Sequence, residues 1–100
     1  MWRQSGKPAL MTEEEARDIA VSGLSYIAAD EEELSRFLAL TGVDPADIRA
    51  SAGEPAFLAG VLDFFLGFEP TLLKFAETAK IAPERVAKAR HVLGGPPEAW

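Results

Sequence analysis

The chain has 100 residues, 48% hydrophobic and 26% charged, a composition typical of one globular domain rather than of a disordered chain. The absence of cysteine excludes disulfides and thiolate metal sites and fits a cytoplasmic location. No apolar run reaches the roughly 20 residues that span a bilayer, and the net charge of −6 disfavours non-specific binding to nucleic acid phosphates.

Residues 1–11 show no hydrophobic periodicity, and we predict a flexible leader there. Thr12 and Glu15 then form the pattern of a capping box, in which each side chain accepts a hydrogen bond from the other residue's amide. A helix over 13–28 is predicted to follow, because apolar residues recur at helical spacing. Its expected buried face consists of Ala16, Ile19, Ala20, Gly23, Leu24 and Ile27.

Asp30 is the predicted N-cap of a second helix, which ends at Gly42 because glycine readily adopts the left-handed conformation. The acidic run 31–33 suits the positive end of that helix dipole. Its side chains point about 100° apart, so they cannot converge on one metal ion. A short third helix is predicted from Asp44 to about Gly53. The residues expected to face inward from these two helices are Leu34, Phe37, Leu38, Thr41 and Ile48.

The stretch 57–68 is apolar over more than half of a helical circumference, so we predict a central helix over about 55–67 that other helices enclose. Asp63 is the exception, because an unpaired charge inside a domain is costly. Three interpretations follow: Asp63 pairs with Arg49 or Arg36, it faces water, or it lines a ligand cleft. Such a cleft would be formed by the small residues Ala59, Gly60 and Gly67.

A fifth helix is predicted to begin at Glu69-Pro70 and a sixth at Pro83, and an extended tail over 95–100 follows. Their expected inner residues are Leu72, Leu73, Phe75, Ala76 and Ala79 in the fifth helix and Val86, Ala89 and Leu93 in the sixth. No stretch alternates at period two, and the connections are short. The sequence therefore predicts one all-α domain over 12–94, a compact array of about six short helices with irregular, orthogonal packing around the central helix.

A resemblance to a known family is carried by five segments: Phe37–Pro45, Ile48-Arg49, Phe57–Phe64, Ile81–Glu84 and Ala89-Arg90. Together they resemble a family of short bacterial proteins known only as a domain of unknown function. The resemblance covers most of residues 12–94. It implies a small helical protein without an established activity, so no functional residue can be transferred from the family.

Catalytic chemistry has little support in the sequence. His91 is the single histidine, and none of the serines lies in a nucleophile elbow or a comparable motif. A glycine-rich phosphate loop and a recognisable metal-ligand spacing are both lacking from the sequence. We therefore expect no enzyme, no cofactor and no metal site.

Charge is unevenly distributed along the chain. Residues 12–70 carry thirteen acids against three arginines, a net of −10, whereas residues 71–93 carry five basic residues against two acids, a net of +3. We predict a small acidic interaction module that binds another protein or a second copy of itself through an exposed apolar patch. Leu40, Tyr26 and Trp100 are the apolar candidates, and the charged candidates are Lys80, Arg85, Lys88 and Arg90.

Two alternatives stay open. Residues 34–52 could form a helix-turn-helix, but Arg49 is the one basic residue of its second helix, beside Asp44 and Asp47. Nucleic acid would therefore bind the basic C-terminal helices instead, and we expect such binding to be unlikely in an acidic protein. The second alternative is a small molecule bound in a helical cleft near Asp63.

Overall fold

The computed structural model describes residues 11–94, and all of its regular elements are helices. They are α1 (Glu13–Ala28), α2 (Glu31–Thr41), a 3-10 turn (Pro45–Asp47) that leads into α3 (Ile48–Ser51), α4 (Pro55–Leu66), α5 (Glu69–Ala79) and α6 (Pro83–Leu93). The predicted all-α fold with six short helices is therefore confirmed. The predicted leader and tail lie almost entirely outside the described residues.

Helix α4 forms the centre of the domain, as its apolar circumference predicts. It contacts α1, α5 and α6, and its residues Leu58, Val61, Leu62 and Phe65 are at most 1% exposed. Because burying one large apolar side chain contributes roughly 1.5–3 kcal/mol, this helix supplies a large part of the hydrophobic stabilisation. The predicted enclosure of the central helix is confirmed.

Helix ends follow the local sequence signals. The Thr12 amide donates to Oε1 of Glu15 at 2.9 Å, and the Glu15 amide donates to Oγ1 of Thr12 at 3.0 Å, which completes the predicted capping box. Gly42 ends α2 with a φ of 71°, in the left-handed region. Lys80 ends α5 with a φ of 61°, although it carries a side chain that disfavours this conformation.

The close approach of α1 to α4 depends on one glycine. A Cβ atom at Gly23 would lie 2.7 Å from Cε2 of Phe65. The Phe65 ring in turn stacks on Phe75 of α5, with centroids 4.5 Å apart and planes 21° apart. Three helices therefore meet at one aromatic stack, and the backbone of α1 covers one side of it.

The packing is orthogonal where α4 passes into α5, since the two helices are bent by 111°. Within the described residues, no single helix has the length and apolar content needed to cross a bilayer. Helices α4 and α5 have that length and apolar content only when they are taken together as this bent pair.

Four side chains differ from their predicted positions. Met11, assigned to the leader, is only 8% exposed and packs in the core. Thr41 is exposed, and its hydroxyl donates to the Phe37 carbonyl at 2.8 Å. Leu73 is 47% exposed, because α5 buries only the face that carries Phe75 and Ala76.

The fourth is Phe68, which the apolar run places on the central helix. Helix α4 ends at Leu66, and Phe68 instead takes the N-cap position of α5 in an extended conformation. Its side chain is therefore directed away from the core, and 47% of the residue is exposed.

Candidate functional site

An apolar groove lies between α2 and α4, and we call it the α2/α4 groove. Its volume is about 440 Å³. It is lined by Arg36, Leu40, Thr41, Gly60, Asp63, Phe64, Gly67 and Phe68. A second recess of about 240 Å³ shares Leu40, Thr41 and Gly60 with it and extends toward Val43 and Phe57.

Small residues open the groove on the α4 side. Gly60 has no atom within 4 Å of the position that its Cβ would occupy, so the space above this part of α4 is empty. Large side chains project beside this opening: Leu40 on α2 is 61% exposed, and Phe68 is 47% exposed. Exposed large apolar side chains around a concave surface are typical of a binding site rather than of a fully solvated face.

Arg36 forms one polar wall of the groove. Its guanidinium carbon lies 4.8 Å from the ring centroid of Phe64 and 4.5 Å from that of Phe68. Nη2 of Arg36 lies 3.1 Å from Oε1 of Glu33 and donates to Oγ1 of Thr71 at 3.2 Å. These contacts fix the cation across the aromatic wall, where cation–π attraction adds to the ion pair.

Asp63 forms the second polar wall, and its partner is Arg90 of α6. Nε of Arg90 donates to Oδ1 of Asp63 at 2.8 Å, and the two side chains are 11% and 12% exposed. The predicted ion pair therefore exists, but the predicted partners are wrong. Arg36 is engaged by Glu33 and Thr71, and Arg49 lies exposed on the short helix α3.

Asp63 takes part in an ion pair and also lines the groove. Asp63 is paired on its α6 side and lines the groove on its α2 side, together with Gly60 and Gly67. Ala59, predicted to line the same cleft, is instead 5% exposed and does not line it. The reason is its position on the helix, which turns it toward the core.

The predicted basic surface loses one member. Arg90, one of the predicted interaction residues, is nearly buried: it pairs with Asp63, and its Nη1 donates to the Gly94 carbonyl at 2.8 Å. Lys80 and Lys88 are exposed and Arg85 is half-buried. Trp100 lies outside the described residues.

Acidic residues flank the groove along the chain. Glu69 follows the groove residue Phe68, whereas Asp44 and Glu54 adjoin, along the chain, Val43 and Ala56, which line the second recess. All three acids are exposed. Because Arg36 and Asp63 have partners of opposite charge, these exposed carboxylates contribute negative charge beside the groove and the second recess. They are called the rim acids below.

The helix-turn-helix alternative is disfavoured by the length of its second helix. Helix α3 spans only Ile48–Ser51 after a 3-10 turn, and a single turn gives a poor recognition element for the major groove. Among residues 11–94, no cluster of three or more His, Asp or Glu residues has a metal-binding arrangement.

A further recess of about 490 Å³ lies between α1 and α5, lined by Val21, Ser22, Ser25, Tyr26, Ala29, Phe75, Thr78 and Ala79. Burial raises the pKa of Tyr26 above its ordinary value, and the carboxylates of Glu33 and Asp30 raise it further. The Tyr26 ring packs against Phe65 and Phe75, with centroids 6.0 and 5.7 Å away. Tyr26, predicted as part of an exposed apolar patch, is therefore half-buried, because its ring packs against the aromatic stack.

Sequence reasoning missed Phe68 and Arg36 as walls of the groove. Gly67 could have indicated the position of Phe68, because it ends α4 and the following residue no longer lies on the buried face of that helix. Arg36 carried no signal in the sequence, because its aromatic neighbours lie about 30 residues away along the chain.

Comparison with known proteins gives one family. The family described as "Protein of unknown function (DUF3572)" matches residues 13–96 of the chain. Neither the curated proteins nor the solved structures contain a match. Since the matched residues make up well over half of the sequence, the chain belongs to the DUF3572 family of proteins of unknown function.

Proposed function

We propose that the protein is a non-catalytic binding module, which receives one amphipathic helix of another protein in the α2/α4 groove. The observation that carries the proposal is the exposure of Leu40 and Phe68, at 61% and 47%, beside an apolar groove of about 440 Å³. Helix-in-groove recognition buries one apolar face of the incoming helix between two helices of the receptor.

Charge determines the chemistry of the partner. The rim acids (Asp44, Glu54 and Glu69) are exposed, and residues 12–70 carry a net charge of −10. A partner helix with lysine or arginine beside its apolar face would complement this potential and associate faster than a neutral one. We therefore infer a cationic amphipathic helix as the occupant.

The test uses a designed probe and amide shift mapping. A 14-residue helical peptide with leucines on one face and lysines on the other is titrated into the isotope-labelled protein. We expect saturable shifts confined to α2 and α4 around Leu40 and Phe68. A peptide of the same sequence with glutamate in place of lysine should bind at least about tenfold more weakly, because its carboxylates have the same charge as the rim acids. A tenfold difference in affinity corresponds to about 1.4 kcal/mol.

A matched pair of variants controls for non-specific hydrophobic binding. Leu40→Lys should abolish the shifts, whereas Leu73→Lys should leave them unchanged, because Leu73 is as exposed as Phe68 but does not line the groove. Equal binding by both variants, or shifts that map to the recess between α1 and α5, would contradict the proposal.

A small molecule is the second candidate occupant. The groove volume falls within the range of roughly 300–1,000 Å³ that is typical of small-molecule sites, and its lining is mostly apolar with two fixed polar groups, Arg36 and Asp63. A thermal-shift screen tests this candidate, because a ligand that binds only the folded protein must raise its stability. A hit that Leu40→Lys removes and that displaces the peptide probe would favour it over the peptide.

A further inference from the structure

We propose that the partner helix carries two large apolar anchors seven residues apart, one bound in the α2/α4 groove and the other in the second recess. This inference rests on the proposed function, since it names the side chains that the partner must present. The groove and the second recess share three lining residues, Leu40, Thr41 and Gly60. They therefore form one continuous concave surface, which we call the extended groove.

The extended groove follows the axis of α4. The second recess is lined by α4 between Ala56 and Gly60, and the α2/α4 groove is lined from Gly60 to Phe68, just beyond the helix end. Helix α2 runs antiparallel to α4 along the opposite side. Its Arg36 lies against Phe68, whereas Val43, which follows the end of α2, lines the second recess. Two helices therefore border the extended groove, as they must for helix-in-groove binding.

The spacing of the two halves matches a helical repeat. Phe57 lines the second recess and Phe64 lines the α2/α4 groove. The ring of the buried Phe37 packs against both, with its centroid 6.1 Å from that of Phe57 and 5.5 Å from that of Phe64. Phe57 and Phe64 are seven residues apart, which corresponds to about 10.5 Å along a helix axis. Side chains at i and i+7 on one face of a partner helix have the same separation.

The two halves differ in size and in lining. The α2/α4 groove has a volume of about 440 Å³ and the second recess about 240 Å³. The larger half offers the exposed Phe68 ring, with the guanidinium carbon of Arg36 4.5 Å from its centroid. Aromatic side chains pack favourably on other rings and on cations. We therefore assign an aromatic anchor to the α2/α4 groove and an aliphatic anchor to the second recess.

Acidic residues adjoin both ends of the extended groove along the chain. Asp44 and Glu54 adjoin the end that holds the second recess, and Glu69 adjoins the end at Phe68. All three are exposed. Basic residues on either side of the anchor pair would complement these charges, whereas a second copy of this chain, with its net charge of −6, would be repelled. Charge therefore favours a cationic helix of another protein as the occupant.

A set of designed peptides tests the anchor spacing. The parent peptide is a helix of about 14 residues, built from alanine and lysine, with one tryptophan and with one leucine seven positions after it. Fluorescence anisotropy of the dye-labelled peptide measures its dissociation constant. Replacing either anchor by alanine should weaken binding by at least about tenfold, because each buried anchor contributes at least that factor. Moving the leucine to the fifth position after the tryptophan turns it to another face, so this peptide should bind as weakly as the peptide without leucine.

A double-mutant cycle locates the leucine. Ala56 is exposed and lines only the second recess, so Ala56→Gln obstructs that half without a change of charge. We expect it to weaken the parent peptide about tenfold and to remove the effect of the leucine replacement, while the effect of the tryptophan replacement persists. Ala87→Gln is the matched control, because Ala87 is an exposed alanine of α6 that lines neither half, and it should change nothing. Circular dichroism verifies that both variants keep their helices.

The opposing outcomes separate this inference from the proposed function. Equal binding of the parent peptide by the Ala56→Gln and Ala87→Gln variants, with binding still abolished by Leu40→Lys, overturns the inference and leaves the proposed function intact. Coupling of Ala56→Gln to the tryptophan instead of the leucine also overturns the inference, because it reverses the assigned anchors. Equal affinity of the peptide with the displaced leucine does so as well. Absence of binding by every peptide contradicts the proposed function itself.

Discussion

Arg90 of α6 holds Asp63 of α4 through a 2.8 Å hydrogen bond from its Nε, with both side chains nearly buried. The second carboxylate oxygen, Oδ2, is buried without a hydrogen-bond partner among the described residues. The pair therefore joins two core helices, and among residues 11–94 Arg90 is the cation that neutralises this carboxylate.

Asp63→Ala should lower the free energy of unfolding by about 3 kcal/mol, because it removes one partner of a nearly buried ion pair. Urea denaturation monitored by circular dichroism measures the change. Arg17→Ala is the matched control, since it breaks a 3.3 Å pair with Glu13 whose side chains are 41% and 62% exposed. That control should cost less than about 0.5 kcal/mol, as exposed helix pairs do. Equal losses of unfolding free energy in the two variants would contradict the expectation that a nearly buried ion pair contributes more to stability than an exposed one.

Gly23→Ala should destabilise the protein although alanine is the better helix former. The new Cβ would lie 2.7 Å from the Phe65 ring, which is fully buried and stacked on Phe75 and so has no room to move. Overpacking of this kind costs roughly 1–3 kcal/mol, which exceeds the gain of about 1 kcal/mol in helix propensity.

Gly60→Ala is the control for Gly23→Ala, because its Cβ would meet no atom within 4 Å. It should raise the free energy of unfolding by up to about 1 kcal/mol through helix propensity alone. Thermal unfolding of both variants measures whether their stabilities change in opposite directions, as we expect. A loss of stability in both, or a gain in both, would show that contact with Phe65 is not the deciding factor.

Lys80→Gly should stabilise the protein by about 1 kcal/mol, because the left-handed backbone at φ 61° is strained for a residue with a Cβ. Lys80 is exposed, so little packing is lost. The reverse change at the end of α2, Gly42→Ala, should destabilise by a similar amount at φ 71°. Melting temperatures of the two variants that move in the same direction would contradict this interpretation.

Tyr26 should titrate above its ordinary pKa of 10.0, because burial disfavours the tyrosinate and Glu33 and Asp30 repel it. It is the single tyrosine of the chain, so tyrosinate absorbance reports it alone. The unfolded chain loses this proton first as the pH rises. The contribution of Tyr26 to stability is therefore complete below pH 10.0 and declines above it.

Tyr26→Phe tests the sign of this linkage. The variant should show a shallower loss of stability above pH 10.0 than the parent protein, measured by urea denaturation in steps of pH. Identical slopes, or a tyrosinate titration at the same pH in the folded and unfolded chains, would contradict the raised pKa.

Local signals in the sequence predicted the helices well. Thr12 with Glu15, Asp30 and the prolines at helix starts act within one turn, so their effect can be read without tertiary structure. The apolar character of 57–68 likewise predicted the burial of most of its side chains, except at Phe68, which lies beyond the helix end at Gly67.

Partners across helices could not be predicted in this way. Arg90 lies 27 positions from Asp63, inside a basic run that has the composition of a solvated surface. Which basic residue faces Asp63 depends on how α6 packs on α4, and that is set by the whole core. The α2/α4 groove is a similar case, because it exists where two helices fail to fill the space between them.

The contact between Gly23 and Phe65 also constrains how the family can diverge. Two positions 42 places apart in the alignment should covary: a relative with a larger residue at the first should carry a smaller, non-aromatic one at the second. A relative with an aromatic residue at the Phe65 position and a bulky residue at the Gly23 position would need a wider separation between its first and fourth helices. It would then need larger side chains elsewhere in the core to fill the resulting space.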